Sequence, residues 1–103
     1  MTKPDIPLLQ AQAEQASSLL KAMSNPHRLL ILCMLCDAPG TSAGELSTIT
    51  GLSPSATSQH LARMKEDGLV ASLRKAQRVN YFINDEAVRK IISTLKSIYC
   101  PEE

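Results

Sequence analysis

Two groups of side chains in this chain could do chemistry. Ser55, Thr57, Ser58, Gln59, His60 and Arg63 crowd short hydrogen-bonding groups and one guanidinium into nine consecutive positions. Groups of this kind read base edges and phosphates, whereas a merely solvated helix is richer in Glu and Lys. The second group is three thiols, Cys33, Cys36 and Cys100. Thiols can be oxidised, bridged to one another or used as soft metal ligands. A zinc site normally takes four ligands. Cys33, Cys36 and Asp37 offer three on one stretch, with no fourth in sequence. No metal and no cofactor is therefore expected.

The polar group needs an element to present it, and the residues around it supply one. Ser42 followed by Glu45 is a capping-box pattern that opens a helix. Gly51 stands where that helix must end and the chain turn sharply. Ser53 caps a second helix, and Pro54 fits its first turn because the missing N–H has no partner there anyway. Leu61 and Met64, three apart, face a core from the side opposite the polar residues. Helix, glycine turn and polar second helix make a helix-turn-helix, whose second helix enters the DNA major groove. Gly68 ends that helix. Leu69–Leu73 and Val79–Ile83 read as two short strands, with Arg74, Lys75, Ala76, Gln77 and Arg78 at the tip between them. A basic hairpin beside a recognition helix is a wing that reaches phosphates or the minor groove. The candidate DNA-contacting residues are thus Ser55, Thr57, Ser58, Gln59, His60, Arg63, Arg74, Lys75, Gln77 and Arg78.

Three further helices complete the reading. Pro4 and Pro7 hold off helix at a frayed start over residues 1–5, and a first helix runs from about Leu8 to Met23 with apolar residues at helical spacing. Asn25 caps and Pro26 begins a second, apolar nearly all round to about Cys36, which belongs at the centre of the domain. Asn84 caps a last helix, with Asp85 and Glu86 in its first turn and a stripe of Val88, Ile91, Ile92, Leu95, Ile98 and Tyr99. Met23, Met34, Met64, Tyr81 and Phe82 read as core. The fold class is mainly α with a small β-hairpin: a winged helix-turn-helix of about five helices and a two-stranded wing. The first and last helices, near 8–23 and 84–99, carry more apolar surface than so small a body can bury. Packing across a two-fold axis would cover them, giving a homodimer suited to a palindromic operator.

Composition bounds the rest. The chain has 103 residues, 44% hydrophobic and 20% charged, which is one foldable domain over 1–103. Its formal net charge is only +1, but residues 63–78 hold five basic side chains against two acidic ones. A basic patch on a near-neutral protein is the electrostatic footprint of a site-specific DNA binder. The longest apolar run, Leu29–Cys36, is eight residues, far short of the ~20 that span a bilayer. With no leader pattern either, a cytoplasmic protein without membrane contact is expected. An enzyme is not expected: Cys33 and Cys36 have thioredoxin-like spacing but sit inside an apolar helix, where thiolate formation is disfavoured.

The stretches LKAMSNPHRLLILCML (20–35) and GLSPSATSQHLARMKEDGLV (51–70), in this order of helices, resemble the ArsR-type winged-helix repressors over nearly the whole chain. The resemblance implies a homodimeric transcriptional repressor that leaves operator DNA when an inducer binds. The Cys-x-Cys and Asp/His metal sites common in that family have no counterpart in residues 44–48 or in the last helix. Cys33 and Cys100 instead look like the cysteine pair of the family's sulfide- and persulfide-responsive subgroup. That likeness implies that persulfide or related reactive sulfur species oxidise the pair to a disulfide or a longer sulfur bridge, and that the reduced form binds DNA at sulfide-detoxification genes. A metal-responsive or general oxidant-responsive repressor is the alternative. Cys36 departs from the two-cysteine pattern and reads as a bystander.

Overall fold

The computed structural model describes residue 3 and residues 5–101. Five helices and one hairpin follow in the order α1 (Ile6–Met23), α2 (Pro26–Asp37), α3 (Ala43–Thr50), α4 (Pro54–Glu66), β1 (Val70–Lys75), β2 (Arg78–Ile83) and α5 (Glu86–Tyr99). Local chemistry sets most of these boundaries. The Asn25 side chain accepts from the His27 and Arg28 amides, and Pro26 opens α2 behind it. Ser42 and Glu45 form the complete capping box of α3. Gly51 closes α3 at φ 75°, a left-handed conformation that glycine adopts without a Cβ penalty.

Three expected boundaries move. Helix α1 starts at Ile6, because Asp5 caps it by accepting from the Leu8 amide at 3.2 Å. Pro7 therefore sits in the first turn, where its missing N–H costs nothing, and does not block the helix. The other proline expected to block it, Pro4, lies outside the described residues, as do residues 1 and 2 of the frayed start. Helix α5 is capped by Asp85 and not Asn84: its carboxylate accepts from the Ala87 amide at 2.8 Å. Asn84 instead donates to the Gly68 carbonyl. The strands reach further into the turn than expected, β1 starting at Val70 and running to Lys75 and β2 starting at Arg78. They pair antiparallel from Val70 with Ile83 to Lys75 with Arg78, leaving a two-residue turn, Ala76 and Gln77. Arg74, Lys75 and Arg78 accordingly stand on strand ends.

The core is one cluster: Met23, Ile31, Leu32, Leu35, Leu46, Leu61, Met64, Leu69, Val70, Ile83, Val88 and Ile92. Helix α2 lies at its centre, touching α3, α5 and β2. Met34 and Tyr81 pack against the cluster from half-buried positions, and Phe82 covers Gly40. The loop before α3 also joins the hairpin. The Gly40 amide donates to the Tyr81 carbonyl at 2.8 Å, and the Tyr81 amide donates to the Thr41 carbonyl at 3.0 Å. The helix-turn-helix and the wing are thereby tied as one unit. Helix α1 is different. Of its residues only Met23 is buried, and Leu8, Leu9 and Leu20 are exposed.

Candidate nucleic-acid interface and thiol cluster

Helix α4 turns Leu61, Met64 and Thr57 into the core and Ser55, Ser58, Gln59, Ala62 and Arg63 outward. Thr57 is a correction to the sequence reading. It is 1% exposed, so its side chain cannot reach a base edge. Its spacing of four and seven residues from Leu61 and Met64 is the signal that would have assigned it inward. Its Oγ1 is buried without a hydrogen-bond partner. Ala62, by contrast, lies on the outward face, where a methyl can meet a thymine methyl.

His60 is half-buried on the flank of this face. Its Nδ1 accepts from Arg28 Nε at 3.1 Å, and the same guanidinium donates to the Ala22 carbonyl at 3.0 Å. The His27 ring lies 6.1 Å away, centroid to centroid. Burial first, then the charges of Arg28 and His27, hold the His60 pKa below the ordinary imidazole value.

The wing is braced from two sides. Lys65 of α4 donates to Ser72 Oγ of β1 at 2.7 Å. Arg78 of β2 meets the Glu45 carboxylate at 2.6 Å and donates to Asn80 at 2.8 Å. Glu45 also accepts from the Ser42 amide and hydroxyl, which keeps its pKa low, with Arg78 adding to the effect. Arg74, Lys75 and Gln77 are exposed at the far end, and neither Arg74 nor Lys75 makes an ion pair among the described residues. The polar face of α4 and the base of the wing are therefore linked by side-chain contacts as well as through the chain. The sequence shows Glu45 only as half of a capping box and does not show its pairing with Arg78 or that of Arg28 with His60, partners 33 and 32 positions apart.

All three thiols are free. Cys33 and Cys36 are half-buried on α2, and Cys100 is exposed at the C-cap of α5, the helix packed on α2. Burial pushes the Cys33 thiol up. The Lys96 ammonium pulls it back, and Cys36, Asp37 and Cys100 push it up again. Burial likewise raises Cys36, opposed chiefly by Arg89. Lys96 of α5 is ion-paired with Asp37 of α2, which pins the two helices together beside the thiols. Among the described residues, no three His, Cys, Asp or Glu side chains converge as metal ligands, and no helix is long and apolar enough to cross a membrane.

A family model described as "Bacterial regulatory protein, arsR family" matches residues 25–72, which run from the cap of α2 into β1. The HTH-type transcriptional regulator YgaV of Escherichia coli is 70% identical over 93 residues, covering 90% of this chain and 94% of that protein. The transcriptional activator HlyU of Vibrio cholerae is 46% identical, covering 89% of this chain and 84% of that one. Among solved structures, the transcriptional repressor BigR from Xylella fastidiosa superposes with a TM-score of 0.83 at 27% identity, covering 96% of this chain and 97% of the other. These relatives are regulators of transcription and not enzymes.

Proposed function

The chain belongs to the arsR family of bacterial regulatory proteins, and on that premise we propose that it is a homodimeric, cytoplasmic repressor whose hold on operator DNA is released by oxidation of Cys33 and Cys100. The observation that carries the DNA-binding half is the exposed face of Ser55, Ser58, Gln59, Ala62 and Arg63, braced to a basic wing tip. Side chains on α4 read base edges, and Arg74 and Lys75 contact phosphates. The single domain over 1–103 dimerises through α1 and α5, whose exposed Leu8, Leu9, Leu20 and Ile98 need cover.

The switch follows from where the thiols sit. Cys100 is open to solvent and is the first to meet a reagent. Its thiolate attacks the outer sulfur of a persulfide, R–S–SH, forming Cys100–S–SH and releasing RSH. The Cys33 sulfur then attacks the inner sulfur and expels hydrosulfide. The balance is two protein thiols plus R–S–SH giving one disulfide, RSH and hydrogen sulfide. A second persulfide would insert one more sulfur and release another RSH. Either bridge fastens the end of α5, a dimer helix, to the middle of α2, which carries the helix-turn-helix. A two-fold protein must hold its recognition helices about 34–36 Å apart to fill both half-sites, so a small turn of each subunit spoils both. Support for the sulfur signal comes from the thiol pair itself, Cys33 on α2 and the exposed Cys100 at the end of α5, which looks like the pair of the family's sulfide- and persulfide-responsive subgroup. The genes controlled would be those of sulfide detoxification.

Peptide mass spectrometry after treatment with a persulfide, and separately with peroxide, tests the pair. The expected product joins the Cys33 and Cys100 peptides within one subunit, directly or through one added sulfur. A Cys33–Cys36 product, or none, refutes it. Efficient closure by peroxide alone would favour a general oxidant sensor.

A further inference from the structure

His60 and Arg28 carry a reading beyond the family function. We propose that Arg28 is a positioning residue that holds His60 in the tautomer protonated on Nε2, so that the flank of α4 offers DNA a neutral hydrogen-bond donor. This rests on the DNA-binding reading above.

The tautomer follows from what each group can do. Arginine donates from every nitrogen, keeps its charge and accepts nothing. Its Nε–H points at His60 Nδ1 over 3.1 Å, so Nδ1 must present its lone pair. A neutral imidazole with a lone pair on Nδ1 carries its proton on Nε2, and an imidazolium has no lone pair to present. The guanidinium is not free to turn away. Its second bond, to the Ala22 carbonyl, anchors it to the end of α1. Asn25 accepts from the Arg28 amide at 3.2 Å and fixes the start of α2.

The other ring nitrogen is left for a partner. Among the described residues, the buried polar side-chain atom lacking a partner is Thr57 Oγ1. His60 Nε2 makes no hydrogen bond among those residues either, and unlike Thr57 Oγ1 it is not sealed from the surface. It lies on the edge of the helix next to Gln59 and Arg63, both exposed. Burial first, then the Arg28 guanidinium and the His27 ring of α2, disfavour a charge on this ring, and no carboxylate opposes them. The donor thus stays uncharged at neutral pH. Its acceptor on DNA is a phosphate oxygen or a base-edge atom, and either takes an N–H in the same way.

Nitrogen-15 NMR of the reduced full-length chain reads the tautomer without DNA, with His60→Gln assigning the signal. The expected result at neutral pH is a single form bearing the proton on Nε2. Arg28→Met should let the form protonated on Nδ1 appear as a measurable minor population. A proton on Nδ1 in the wild type, or no change in Arg28→Met, overturns the proposal. If Arg28→Met does not fold, the wild-type signal and a second pair of variants decide. His60→Asn keeps an acceptor where Nδ1 stood but loses the outer donor, and His60→Gln keeps a donor near Nε2. His60→Asn should bind operator about tenfold more weakly, and His60→Gln within about threefold of wild type. A loss equal across sequences marks a phosphate acceptor, and a loss at one base position marks a base edge. Undiminished binding by His60→Asn, or equal weakening in both variants, overturns the donor role. Failure of the wild type to bind any DNA would instead defeat the DNA-binding reading, while the NMR result would still report the tautomer.

Discussion

Burial takes Thr57 out of the DNA-reading face and raises the pKa of the Cys33 thiol. Each effect has a measurable consequence. A buried hydroxyl without a partner costs stability that an isosteric methyl does not. Thr57→Val should therefore raise stability by about 1 kcal/mol in chemical denaturation and leave operator affinity unchanged. A clear loss of affinity would return Thr57 to the interface. For Cys33 the sign runs through the thiolate, which is the nucleophile. A raised pKa leaves less thiolate at neutral pH, so bridge closure should speed up as pH rises past the ordinary thiol value of about 8.5. Lys96→Met removes the charge that pulls Cys33 down, so closure should slow at every pH below that raised value. Acid-quenched mass spectrometry of the bridged product over a pH series checks both.

At the scale of elements, the wing is a braced lever. Arg78 is already engaged by Glu45, while Arg74 and Lys75 extend at the tip. Arg74→Ala or Lys75→Ala should each flatten the salt dependence of DNA binding by about one unit of slope, measured by anisotropy titration across salt concentrations. An unchanged slope would remove that residue from the phosphate contacts. Ala76 opens the wing turn at φ 57°, a conformation easy for glycine and strained for a side chain. Ala76→Gly should stabilise the fold by about 0.5–1 kcal/mol in thermal melts. Much of this architecture was legible in sequence because its causes are local. Ser42 with Glu45, Gly51, Asn25 with Pro26, and Ser53 with Pro54 each act within a few residues. The two braces were not legible. Arg28 with His60 and Glu45 with Arg78 depend on how helices and wing dock, which no local spacing encodes. Thr57 was misread by type, since a threonine in a run of Ser, Gln and His looks polar until its register with Leu61 and Met64 is followed.

The whole molecule is shaped by what one protomer leaves uncovered. Of the apolar stripe on α5, Val88 and Ile92 are buried in the protomer's own core, while Ile98 and Tyr99 are 60% and 77% exposed. Ile92→Asp should thus unfold the protomer by placing a charge at a fully buried site. Leu20→Asp with Ile98→Asp should give folded monomers that no longer hold a two-fold operator. Sedimentation with circular dichroism separates the two outcomes, and a folded dimer of the double variant would contradict dimerisation through α1 and α5. The link between thiols and DNA spans the same distance, from the end of a dimer helix through α2 to the recognition helix. Its most direct measurement is operator affinity of the reduced and the persulfide-treated protein, taken in parallel for wild type, Cys33→Ser, Cys36→Ser and Cys100→Ser. Treatment should weaken binding by wild type and Cys36→Ser at least tenfold, reversibly on reduction, and leave Cys33→Ser and Cys100→Ser at full affinity. A Cys100→Ser protein that still releases DNA on treatment would contradict the account.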